Sequence, residues 1–106
     1  MRAMVMEAFG APETGVLQDL PSPTPGPGEV IVRTRAAGVN YPDLLVVEGK
    51  YQHKPPLPFT PGKELAGEIA SVGTGVTRWR PGDRVMAQVE YGAFAEEVVA
   101  GADQCF

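Results

Sequence analysis

The sequence predicts a single, mainly β domain of the barrel or sandwich class. Three observations carry this. Segments with strand patterning outnumber the one short stretch with helical features. Turn signals recur at short intervals between them. Glycine (13) and proline (11) exceed a fifth of the 106 residues, and they gather at 21–28 and 55–62 without repeating, so they punctuate β structure and do not mark collagen or a low-complexity tail. The length suits one small core, and 43% hydrophobic residues suit a packed globule.

Residues 2–9 read as a buried strand. Met4, Met6 and Ala8 point one way, and Ala3, Val5 and Phe9 the other. GAPETG (10–15) reads as a turn and Val16 to Leu20 as a second short strand. The run PSPTPGPG (21–28) lacks the donors a central strand needs, so it is expected to be an extended connector. Glu29 to Val39 has the clearest strand pattern: Val30, Val32, Thr34 and Ala36 share one face, and Ile31, Arg33 and Arg35 the other, with the arginines solvated. A short helix follows between Asn40 and Gly49. Further strands are expected at 64–72, 84–89 and 92–100, with a tight turn at Gly73-Thr74-Gly75. Pro81-Gly82 sits at the centre of a type II turn. Cys105-Phe106 reads as the start of another strand, as in a fragment of a longer protein.

Composition removes several function classes. Net charge is −4, with Lys and Arg scattered and no aromatic platform, which disfavours nucleic acid as a partner. No apolar run approaches the ~20 residues of a membrane helix, and the N-terminus carries no signal-peptide pattern, so a cytoplasmic protein is expected. One cysteine (Cys105) and one histidine (His53) supply neither a disulfide nor the ligand set of a zinc site. Cys105 near the end of the chain and His53 in a proline-flanked loop make a poor nucleophile pair.

Function is concentrated between residues 37 and 67. Asn40 suits a helix N-cap, Pro42 a first turn and Asp43 the positive end of the helix dipole. Capping accounts for both polar residues. The alternative is that the cluster faces a pocket, since a helix N-terminus orients anions and carbonyl groups. The loop 51–61 is long enough to be functional, and Tyr51 and Phe59 in it suit either a pocket wall or a core cover.

Taken together, MRAMVMEAFGAPE, PGPGEVIVRTRAAGVNYPDLLVVEGKY, PGKELAGEIASVGTGVTRWRPGDRV and GAFAEEVV resemble the N-terminal, GroES-like catalytic domain of the medium-chain dehydrogenase/reductase superfamily. The resemblance covers nearly the whole chain and is strongest to the zinc-free quinone oxidoreductase (zeta-crystallin-like) group. It implies a partly open β-barrel with one or a few short helices. Asn40 and Lys63 stand where the zinc alcohol dehydrogenases carry Cys and His ligands, and the cysteines of the structural zinc lobe are absent, so no zinc is expected.

The resemblance implies an NADPH-dependent reductase of quinones or α,β-unsaturated carbonyls. Asn40, Asp43 and Tyr51 are its catalytic candidates, with Asn40, Tyr41 and Lys63 on the cofactor side. Asn40 would contact nicotinamide or substrate, Asp43 would orient its neighbours, and Tyr51 would donate to a carbonyl oxygen. Lys63 is expected to point to solvent, with stabilisation of an enolate as the alternative. No G-x-G-x-x-G turn is present. The nucleotide-binding domain is therefore expected beyond Phe106, and residues 1–106 alone are expected to be inactive. The complete protein is expected to be a homodimer acting on a small molecule. An enoyl or alkene reductase of the same superfamily fits the same residues. A free-standing GroES-like interaction module is the non-enzymatic reading, and it would need a long flexible polar loop where this chain has a proline-stiffened one.

Overall fold

The computed structural model describes all 106 residues. Six strands and one α-helix follow in order: β1 (Arg2–Val5), β2 (Val16–Asp19), β3 (Glu29–Gly38), α1 (Tyr41–Val47), β4 (Glu64–Val72), β5 (Arg84–Gln88) and β6 (Glu97–Gly101). Short 3-10 turns occupy Pro12–Thr14 and Ala102–Gln104. β1 and β2 form an antiparallel ribbon. The other strands form an antiparallel sheet in the order β5-β4-β3-β6, and neither sheet closes on itself. This is the mainly β, partly open barrel with a short helix that the sequence predicts.

The strands of the larger sheet alternate. In β4, Leu65, Gly67 and Ile69 face inward, and in β5, Val85 and Ala87 do the same. β3 departs from that rule. Val30 and Val32 join the main core while Ile31 is buried on the opposite face, and the register shift at Thr34/Ala36 then brings Ala36 to the outer face beside Ala66. The two-face division of β3 therefore holds from Val30 to Thr34 and is corrected at Ala36, while Arg33 and Arg35 are solvated as expected. The main core joins Val30, Val32, Leu65, Ile69, Val85, Val98 and Cys105 beneath the sheet.

Two expected strands are shorter. β1 ends at Val5, and Met6 then bridges to Phe59 in the proline-rich loop. The 92–100 run is strand only from Glu97, because its first half turns to β1 through an Ala3–Ala95 bridge. Both segments leave one sheet to serve another part of the core. At the far end, Cys105 bridges Ala87, and Phe106 exchanges backbone bonds with Met86, so the chain runs along the free edge of β5.

α1 has only seven residues, too few to stand alone. It is held by Val46 and Val47, which pack with Met6 and Phe59 in a second small core. Burial of each valine contributes ~1.5–3 kcal/mol. Gly49 closes the helix at φ 74°, a conformation that favours glycine.

Candidate functional site

Sheet register brings the candidate residues to one end of the molecule. Gly38 pairs with Glu64, and Glu64 pairs with Gln88. Val89 N–H donates to the Lys63 carbonyl at 2.8 Å, which carries the pairing one residue further. Asn40 follows the end of β3, Lys63 precedes β4, and Val89–Tyr91 follow β5.

At the start of α1 the capping differs from the expected form. The Asn40 side chain makes no capping hydrogen bond. Instead the Asn40 backbone N–H donates to Asp43 Oδ2 at 2.8 Å, and the Asp43 N–H donates to the Asn40 carbonyl at 2.9 Å. Asp43 is therefore the cap and Asn40 is the residue it holds. Asp43 is only 3% exposed, and its Oδ1 is buried without a partner. The Asn40 side chain is exposed. Tyr41 is 71% exposed on the first turn of the helix, where it belongs to neither core cluster.

Lys63 is half-buried, and its ammonium is held at the surface by two contacts. Its Nζ donates to the Glu90 carbonyl at 2.8 Å and lies 4.7 Å from the centroid of the Tyr51 ring. A cation over an aromatic face at this range is attracted by about 0.5–2 kcal/mol. Tyr51 in turn packs on the Met6–Phe59 core, and its ring centroid is 6.5 Å from that of His53. The structure thus gathers Tyr51 with Lys63 and holds Asn40 with Asp43 at the same end of the sheet. A cleft of about 330 Å³ opens beside Lys63, with Val46, His53, Lys54, Glu90 and Tyr91 among its lining residues.

The loop 51–61 is anchored. Pro55, Phe59 and Pro61 are buried, and Tyr91 meets Phe59 edge-on at 6.4 Å. Glu90 and Tyr91 were not legible as site residues. Glu90 contributes a backbone carbonyl, which every residue has, and only strand pairing across β4 and β5 brings it to Lys63.

The donor set at this end does not resemble a metal site. No three His, Cys, Asp or Glu side chains come together anywhere in the chain, and Lys63 brings a positive charge of its own.

Comparison with known proteins identifies the family of the fold. Residues 26–106 match the alcohol dehydrogenase GroES-like domain. The rat synaptic vesicle membrane protein VAT-1 homolog is 44% identical over 108 aligned positions, covering 100% of this chain and 27% of that protein. A rat quinone oxidoreductase is 42% identical, covering 91% of this chain and 30% of that protein. The human VAT-1 homolog-like protein superposes with a TM-score of 0.95 at 37% identity, over all of this chain and 34% of that one. An Escherichia coli quinone oxidoreductase complexed with NADPH superposes with a TM-score of 0.93 at 30% identity, over all of this chain and 32% of that one. The chain spans about a third or less of the length of these relatives. It belongs to the alcohol dehydrogenase GroES-like domain family, within the medium-chain dehydrogenase/reductase superfamily of oxidoreductases.

Proposed function

We propose that this chain is the catalytic-domain portion of a zinc-independent, NADPH-dependent reductase of quinones or α,β-unsaturated carbonyls. The nucleotide-binding domain would lie elsewhere in a longer protein. The observation that carries this reading is the replacement of metal ligands by hydrogen-bond donors. Lys63 occupies a zinc-ligand position of the alcohol dehydrogenases and is fixed by the Glu90 carbonyl and the Tyr51 ring. The Asn40 carboxamide and the Tyr51 hydroxyl make no hydrogen bond within the chain.

Reduced nicotinamide would supply the hydride. The residues present suit the rest of the task. Donors aimed at an acceptor oxygen stabilise the negative charge that develops there. The Lys63 ammonium and the Tyr51 hydroxyl serve this role, and their attachment to Glu90 and to the small core keeps them in place as charge develops. Asn40 holds the nicotinamide or the acceptor carbonyl through its free carboxamide. Asp43 acts through Asn40 by fixing its backbone. The hydride adds to carbon and a proton from water completes the reduced product, so no buried acid is required.

The test uses the protein expressed from its complete reading frame. NADPH oxidation is measured with benzoquinone and with a crotonyl thioester, each with and without a metal chelator. Benzoquinone turnover that survives chelation supports the proposal. Preference for the thioester moves the chain to the enoyl reductases, and loss of activity on chelation overturns the zinc-independent reading. Residues 1–106 alone are expected to show no turnover.

A further inference from the structure

The cleft beside Lys63 has a charge character opposite to that of the chain. Net charge overall is −4. Yet the lining includes Lys54, Lys63 and His53, with Glu90 as the single acid. Neither lysine takes part in any of the chain's four ion pairs. The one close polar contact of Lys63 is to a neutral backbone carbonyl, so its positive charge is not cancelled. An ammonium has three N–H groups. One is used on Glu90, and the Tyr51 ring face takes up another side of the group. Val46 and Tyr91 are the two hydrophobic residues of a mainly polar lining, with Pro55 and Pro56 beside them.

Such a cleft fits an organic anion with a flat apolar body. We infer that it is a subsite for a carboxylate, and that the preferred acceptor is an enone or quinone carrying an acidic group away from its reducible carbonyl. This rests on the proposed reductase function, because the cleft adjoins Tyr51 and Lys63 and would hold the far end of a molecule whose carbonyl meets them. Lys54 and His53 set specificity. One exposed Lys54–carboxylate contact and a hydrogen bond from the His53 ring N–H give an expected preference of about three- to tenfold.

Backbone amide NMR shifts of the protein expressed from its complete reading frame provide the test, with three probes: benzoylacrylate, its methyl ester and benzoate. Benzoylacrylate should bind about three- to tenfold more tightly than the ester and should move the amides of 52–54, 63 and 90–91. Lys54→Gln with His53→Gln should remove most of that preference. Benzoate, which has no enone, should shift the same amides more weakly. Equal affinity of acid and ester overturns the subsite, while shifts at Asn40 and Tyr51 with both probes keep the enone reading. Benzoate binding without any response to the enone has the reverse meaning. A preference for the acid that survives the double substitution also overturns the subsite. So does tighter occupation of the cleft by NADPH, which would assign it to a cofactor phosphate.

Discussion

Asp43 caps Asn40, and not the reverse. Asn40 N–H donates to Asp43 Oδ2 at 2.8 Å, while the Asn40 carboxamide makes no capping bond. The two residues should therefore separate in a stability measurement. Asp43→Ala removes a buried acceptor and leaves Asn40 N–H without its partner, at a cost of about 1–3 kcal/mol. Asn40→Ala removes no capping bond and should cost under about 0.5 kcal/mol. Urea unfolding of both variants checks this. An Asn40→Ala loss as large as that of Asp43→Ala would restore the side-chain cap.

Gly62 precedes Lys63 at φ 106°, and a Cβ there would lie 2.7 Å from Phe94 Cδ1 and 2.9 Å from the Phe94 backbone nitrogen. Gly67, in the middle of β4, leaves no room for a Cβ against the Arg33 carbonyl. Gly62→Ala combines backbone strain with overpacking, and about 2–4 kcal/mol of destabilisation is expected. Gly67→Ala must push β3 and β4 apart and should cost at least as much. Thermal unfolding measures both. Variants that melt with the parent chain would contradict the close approach.

Cys105 is fully buried. Burial pushes its thiol above the ordinary value of 9.0, the Arg78 guanidinium pulls it back, and the Asp103 carboxylate adds to the push. A thiol harder to ionise when folded favours unfolding once the unfolded thiol ionises. Its contribution to stability is complete below the ordinary value and declines as pH rises from there toward the raised one. Comparison with Cys105→Ala isolates this effect: the stability gap between parent and variant should shrink above about pH 9. A constant gap would contradict it. The thiol should also resist disulfide reagents until the chain unfolds.

The outer face of the larger sheet carries an apolar row. Ala36 pairs with Ala66, Ala66 with Met86, and Met86 exchanges backbone bonds with Phe106. Met86 and Phe106 are 62% and 60% exposed, and the hollow they border with Ala66 and Ala36 has a volume of about 500 Å³. Residues 1–106 should self-associate through this row as concentration rises. Met86→Gln should weaken association in sedimentation velocity. Concentration-independent monomers of the parent chain would contradict this.

Strand patterning made most of the fold legible, because one-sided burial in β4 and β5 leaves a clear period of two. It failed where the backbone changes sheets. Met6 and Ala95 belong to bridges between distant segments, and the extra residue between Thr34 and Ala36 in β3 turns Ala36 to the outer face. Neither is a local property. The candidate site was legible as residue types, since Asn40 and Lys63 departed from a zinc pattern and Asp43 and Tyr51 matched the zinc-free relatives. Their roles were not. That Asp43 holds Asn40 depends on backbone geometry, and Lys63 is held by a carbonyl contributed from beyond β5.

The most direct measurement is the kinetics of Asn40→Ala and Tyr51→Phe in the protein from the complete reading frame, with NADPH and benzoquinone. Asn40→Ala barely perturbs the fold on the account above, so a kinetic loss would report on the site itself. Each substitution should lower kcat/KM by about ten- to a hundredfold, or ~1.4–2.7 kcal/mol of transition-state stabilisation. Unchanged kcat/KM in both variants would show that the chemistry lies elsewhere and would contradict the assignment of this end of the sheet as the active site.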